Sequence, residues 1–267
     1  MRWLCFLLLA SPPLTSAATA QTSGPPPAPP APPAPPAPRP KSLQFDVAQV
    51  PATRDSFVFR LRGEARGWAV WQYEIRPLEL TQELVYTATS EFRPVEEERL
   101  RVVVNRLTGQ PISTFHHIDL YSPRSDTVMV EHDLEVKQGE VSGRRRVGTK
   151  SGGVKIVPVN RPFAPGTVFS DYVFIAGAVS NAVPGDSLAV PAYKEFDDSL
   201  VTLSFVAESP TSIEVPAGRF DVLPLRSGGF RIYATRTGPR RVVKGQTLDG
   251  AFSFELVRSG PVVPTPP

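Results

Sequence analysis

The 267-residue sequence holds one cysteine, two methionines, three tryptophans and three histidines. Cys5 lies inside the first apolar run, so a chain that sheds this run has no thiol. Disulfides and thiolate chemistry are then excluded, and stability has to come from a packed core. Long hydrophobic runs are missing as well. Trp3–Ala10 (WLCFLLLA) is eight residues, against the roughly 20 that a spanning helix needs, and no membrane-spanning segment is expected after processing. Charge of one sign is also missing, with 29 basic against 26 acidic residues and a formal net charge of +3. A dedicated nucleic-acid binder concentrates basic charge on one face, so no nucleic acid partner is expected. The short runs Arg144–Arg146 and Arg240–Arg241 read as solvated strand or turn positions, with contact to anionic lipid headgroups as the alternative.

What is present begins with an export pattern. Met1-Arg2 is a positive start, Trp3–Ala10 an apolar core, and Ser11–Ala20 a small-residue stretch ending in Ala18-Thr19-Ala20. This is the plan of a cleaved signal peptide at residues 1–20, and it predicts a periplasmic or secreted protein. Proline then dominates: 11 of the 16 residues of Pro25–Pro40 are proline. With φ fixed and no amide donor, that composition predicts an extended polyproline tether over residues 21–41, about 3.1 Å per residue. Residues 260–267 read as a second proline-rich tail, which leaves 42–259 as one β-rich domain.

Period-two alternation marks that domain's strands. Leu84, Tyr86, Ala88 and Phe92 form one face; Leu100, Val102 and Val104 form another; Val128, Val130, Leu134 and Val136 a third. Turn residues separate these runs, among them Leu107–Gln110, Ser122–Asp126, Gln138-Gly139 and Ser151–Gly153. Phe169–Val183 alone predicts a helix, with Ser170 as N-cap and Pro184-Gly185 as stop. The fold class expected is mainly β, with ten to thirteen strands in a curled antiparallel sheet or partly closed barrel and one short helix, because sheets of that size curl or close to protect their edges.

The candidates for chemistry are few. Gly185–Leu188 spells the motif of a class of serine esterases, but His116, His117 and His132 all precede Ser187, and the base that activates such a serine follows it. The tetrapeptide reads as a turn opening a strand. Gly148–Gly153 lacks the order of a phosphate loop. Glu96–Glu98 and Asp197-Asp198 supply paired carboxylates, of the kind glycoside hydrolysis uses, but beside turns they read as solvated. If residues 112–121 and 127–136 pair as a hairpin, Leu120 faces Val128, Ile118 faces Val130 and His116 faces His132 on the apolar side. Two imidazoles fall short of the three or four ligands of zinc, so no metal, catalytic residue or cofactor is assigned. Trp71 and Tyr73 share one face of a strand, with Trp68 on the other. Together with Phe174 they are candidates for lining an apolar pocket, and core filling is the competing reading.

The phrases Val104–Pro111 (VNRLTGQP), Val183–Pro191 (VPGDSLAVP) and Val215–Leu223 (VPAGRFDVL) resemble an uncharacterised family of exported, β-rich bacterial proteins, over roughly Leu84–Val257. The resemblance implies a curled antiparallel sheet around a helix, similar to that of periplasmic lipoprotein carriers, and supplies no catalytic residues. Ser42–Gln82 departs from the family's usual start and reads as additional strands or a partner surface. The expectation is a non-enzymatic protein that binds an apolar ligand or lipid within the sheet. The alternatives are an envelope module with a protein partner, and a hydrolase.

Overall fold

The structure is a computed structural model that describes residues 41–121 and 126–262. The expected signal peptide, most of the tether, residues 122–125 of the expected hairpin turn and the last five residues lie outside the described residues. The first half of the domain contributes β1 (Lys41–Ser42), β2 (Thr53–Leu61), β3 (Glu64–Leu78), β4 (Thr81–Phe92), β5 (Glu96–Asn105), β6 (Pro111–Leu120), β7 (Val128–Lys137), β8 (Glu140–Thr149) and β9 (Val154–Pro162). The second half contributes β10 (Val168–Phe169), α1 (Val173–Ala178), β11 (Ser187–Lys194), β12 (Ser199–Ala207), β13 (Thr211–Val215), β14 (Gly218–Ser227), β15 (Phe230–Thr235), β16 (Val242–Thr247) and β17 (Phe252–Pro261). The sheet thus starts one residue before the expected domain boundary and ends two residues after it.

These seventeen strands form one sheet in the order β1-β10-β11-β12-β13-β14-β15-β16-β17-β2-β3-β4-β5-β6-β7-β8-β9. β1 and β10 run parallel to β11 at successive positions along it, and the remaining pairs are antiparallel. The segment 42–82 is therefore no appendage. It supplies β2 and β3, and nine residues of β17 pair with β2 in the middle of the order. The mainly β, curled-sheet expectation holds, with more strands than the ten to thirteen counted from the sequence.

A sheet this wide cannot stay flat, because each strand is twisted relative to its neighbour. Register shifts at Phe59/Arg60, Val103/Val104 and Leu256/Arg258 add local bend. Gly143 shows the cost of such curvature. At φ +149° it lets β8 approach β7 so closely that a Cβ would lie 2.1 Å from the Asp133 carbonyl oxygen. The roll brings the two flanks of the sheet together through side chains. Arg161 of β9 bonds Asp198 in the β11–β12 turn at 2.9 Å, Phe163 packs on Phe169 at 5.3 Å between ring centroids, and Arg145 of β8 donates to the Phe196 carbonyl.

Alternation sends the apolar side chains inward. Phe57, Phe59, Trp71, Tyr73, Tyr86, Phe92, Phe252 and Phe254 are all at most 9% exposed and pack ring to ring. Gly245 makes room for them, since a Cβ there would meet the Phe254 ring at 2.3 Å. The outward positions carry charge or hydroxyls, as at Thr89, Arg99, Arg101 and Asp133. α1 lies against β15 and β16 inside the curl, with Phe174 stacked on Phe230 at 5.5 Å.

The helix is shorter than predicted. Phe169 belongs to β10, and Ser170–Tyr172 form a 3-10 turn. Ser170 does not cap: its hydroxyl bonds the Glu195 carboxylate. The far end stops at Ala178 because the backbone there finds other partners. The Val179 carbonyl accepts from Asp46 N–H at 3.1 Å, and Asn181 N–H donates to the Gln44 carbonyl at 2.9 Å. Tertiary pairing with the 44–46 segment outcompetes continuation of a helix rich in β-branched residues.

Candidate functional site

The β6–β7 hairpin has the register expected from its alternation: Leu120 faces Val128, Ile118 faces Val130 and His116 faces His132. The imidazoles point inward and are 2% and 1% exposed. Around them β4 and β5 bring Ser90, Glu96 and Glu98, all on the inner face. Rolling of the sheet adds residues from the opposite flank: Asp171 from the 170–172 turn, and Glu195 and Phe196 from beyond the end of β11.

Asp171 joins the two histidines. Its Oδ2 is 3.1 Å from His116 Nδ1 and 3.2 Å from His132 Nε2. His116 Nε2 is 2.7 Å from Glu98 Oε1, and Glu98 accepts from the Ser90 hydroxyl at 2.9 Å. Neither ring nitrogen of His132 meets a partner at hydrogen-bonding geometry, its Nε2 being close to Asp171 but poorly aligned, and His116 Nε2 is likewise close to Glu98 without alignment. The Phe196 ring covers both imidazoles, at 4.7 and 5.0 Å between centroids.

The electrostatics separate the two histidines. Burial alone would lower the pKa of His116, but the Asp171 and Glu98 carboxylates outweigh it and hold the group well above the usual histidine value. For His132 burial prevails over Asp171, and its pKa is lowered. Burial pushes Asp171 up, yet the charge and hydrogen bond of His116, with the nearby His132 ring, hold it well below the usual carboxylate range. Glu195 is raised well above its ordinary value by burial and by the Asp171 charge. Glu96 is pushed to about 8 by burial, then by Glu98, and its Oε1 has no partner, as suits a protonated acid.

Several sequence expectations change here. Glu96–Glu98 is not a solvated cluster, because alternation turns Glu96 and Glu98 inward and leaves Glu97 outside. Arg145 likewise turns inward, opposite His132 in the ladder. The pairing that placed the histidines contained this signal. Asp171 carried none, since it lies in the stretch read as helix and reaches the histidines only through the roll. With Asp171 in place, three candidate ligands converge where the sequence offered two imidazoles.

Of the pocket-lining candidates, Trp71 and Tyr73 are in the packed interior, and Phe174 is half-buried against it. Trp71 lies between Phe57, Tyr86 and Phe254, with ring centroids at 4.5, 6.0 and 5.3 Å. Tyr73 stacks on Tyr86 at 5.3 Å. None of the three lines any of three surface grooves. A groove of about 530 Å³ runs past Phe220, Arg241, Leu256, Val257 and Arg258. One of about 270 Å³ runs past Ala48, Leu80 and Arg106, and one of about 220 Å³ past Trp68, Arg99, His117 and Asp119. Ser187 opens β11 and Asp186 binds Lys41 at 2.6 Å, so the esterase-like tetrapeptide is a turn leading into a strand.

These features define a β-rich, barrel-like domain with a buried His–Asp–His cluster. No protein-family model matches the chain, and no curated protein matches it. The crystal structure of a β-barrel-like protein of a domain of unknown function, DUF1849, from Brucella abortus is similar over 79% of this chain and 98% of that one. The sequence identity is 10% and the TM-score 0.46.

Proposed function

We propose that the chain is an exported, non-enzymatic module of a bacterial cell envelope that works by contacting a protein partner with its surface. The observation that carries this reading is the ring-to-ring packing on the inner face of the sheet. Trp71, Tyr73 and Phe174, the residues best suited to hold an acyl chain, contact other protein rings. A carrier that encloses a lipid needs a cavity of several hundred Å³ lined by such residues. The outward charges at Arg99, Arg101 and Asp133 also differ from the apolar outer band of a membrane barrel, and no helix among the described residues is long and apolar enough to cross a membrane. The export pattern of residues 1–20 and the proline tether supply the compartment and the reach.

Fractionation and binding test this reading together. The processed chain is expected in the periplasmic or secreted fraction with an N-terminus at Gln21. It is expected to give no saturable signal with a fluorescent fatty-acid probe. An intact N-terminus in the cytosol contradicts export, and stoichiometric probe uptake contradicts the filled interior.

The groove of about 530 Å³ favours a second reading, a ligand with an apolar body and an anionic end. Phe220, Leu256 and Val257 offer apolar surface there, and Arg258 offers charge, Arg241 being paired with the buried Asp55. Under this reading Arg258→Glu abolishes binding of an anionic lipid probe that the unmodified chain retains.

A further inference from the structure

We propose that His116, His132 and Asp171 form a site for one divalent transition-metal ion, of the zinc class, that fastens the two flanks of the rolled sheet. One ligand atom from each residue lies within 4.8 Å of the others. Metal–ligand bonds of 2.0–2.2 Å place tetrahedral ligand atoms about 3.3 Å apart, and the two distances from Asp171 Oδ2, 3.1 and 3.2 Å, are near that value.

Two observations independent of this spacing point to an ion. The first is His132, which is 1% exposed with both ring nitrogens unpartnered. Buried polar groups are seldom left so, because each lost partner is costly. The ring is aimed at Asp171, where a metal would take the Nε2 lone pair. The second is Glu98. Metal-bound histidines commonly give their other N–H to a carboxylate, which fixes the ring and makes it a better donor. Glu98 Oε1 is placed for that role, 2.7 Å from His116 Nε2 although not aligned with it, and Glu98 is itself held by Ser90. On binding, His116 Nδ1 and His132 Nε2 release any proton that they carry to solvent and present lone pairs. Asp171 contributes its existing negative charge.

Two imidazoles and one carboxylate suit zinc or a neighbouring transition ion better than calcium or magnesium, which take oxygen ligands. Three protein ligands leave a fourth position, and Phe196 screens the rings from solvent. His116 and His132 come from β6 and β7, and Asp171 from the turn after β10. The ion would therefore add a tie between flanks that otherwise meet through side chains and the 163–167 link, a structural role rather than a catalytic one.

The test uses the tag-free processed chain, stripped with a chelator and titrated with Co²⁺. The expected result is one equivalent bound with visible absorption of a four- or five-coordinate ion, displaced by Zn²⁺. Saturating Zn²⁺ is expected to raise the unfolding midpoint by roughly 5–10 °C. Asp171→Asn and His132→Gln should lose the spectrum and the midpoint shift. His117→Ala, which removes the outward histidine beside Glu131, should keep both, and circular dichroism reports folding of each variant. A stripped chain that shows neither spectrum nor shift overturns the site. So does a signal that survives Asp171→Asn and disappears in His117→Ala.

Discussion

Phe254 and His116 both sit on the inner face of the sheet and both are 2% exposed, yet their surroundings differ in kind. Phe254 touches rings: Phe57 at 5.6 Å, Trp71 at 5.3 Å and Phe230 at 6.1 Å between centroids. His116 touches carboxylates on both sides and an aromatic lid on its face. The aromatic region is held by area removed from water, which needs no exact alignment of partners. The polar region depends on each group finding a partner, and Glu96 and His132 show what happens when partners are scarce: a carboxyl pKa rises and nitrogens stay open. The fold places the stable region where β17 and β2 pair, and the polar region where the two flanks meet.

The largest expected effect comes from hollowing the aromatic region. Phe254→Ala should destabilise the domain by roughly 3–5 kcal/mol in urea unfolding. A loss under about 1 kcal/mol would mean that the rings there are loosely packed and the interior is not filled.

The polar region should respond to pH instead. Glu96 ionises near its ordinary value of 4.5 in the unfolded chain and near 8 in the folded one. Between those values the folded state keeps a proton that the unfolded state has released. Stability from this group therefore falls as pH rises from about 5 to about 8, by roughly 3 kcal/mol in all. Glu96→Gln should remove that decline and be the more stable chain at pH 8–9, measured by urea unfolding across the range. An equal decline in the variant would assign it to another group.

Contacts at the meeting of the flanks are worth less. Tyr193 Oη donates to Asp198 at 2.7 Å, and Tyr193→Phe should cost about 1 kcal/mol. Arg161→Ala removes an exposed partner of the same carboxylate and should cost less than about 1 kcal/mol. A double-mutant cycle tests whether the two act together.

The difference between the regions also explains what is legible in the sequence. Strand alternation is local, so β4–β7, the hairpin register and the inward histidines can be read directly. The shared strand face of Trp71 and Tyr73 follows from the same pattern. The β17–β2 pairing joins residues nearly 200 positions apart, and nothing in either strand names its partner. Asp171 is hidden because apolar spacing around it imitates a helix, and its meeting with His116 depends on curvature summed over many strands. Glu96 is easily mistaken because three adjacent acids resemble a solvated turn, although alternation by itself turns the first and third inward.

The central claim is that the interior is occupied by the protein's own side chains. Native mass spectrometry of the chain purified from cell envelopes tests it most directly. The mass expected is that of the processed polypeptide with no lipid adduct; a co-purifying lipid lost only on unfolding would contradict a self-filled interior.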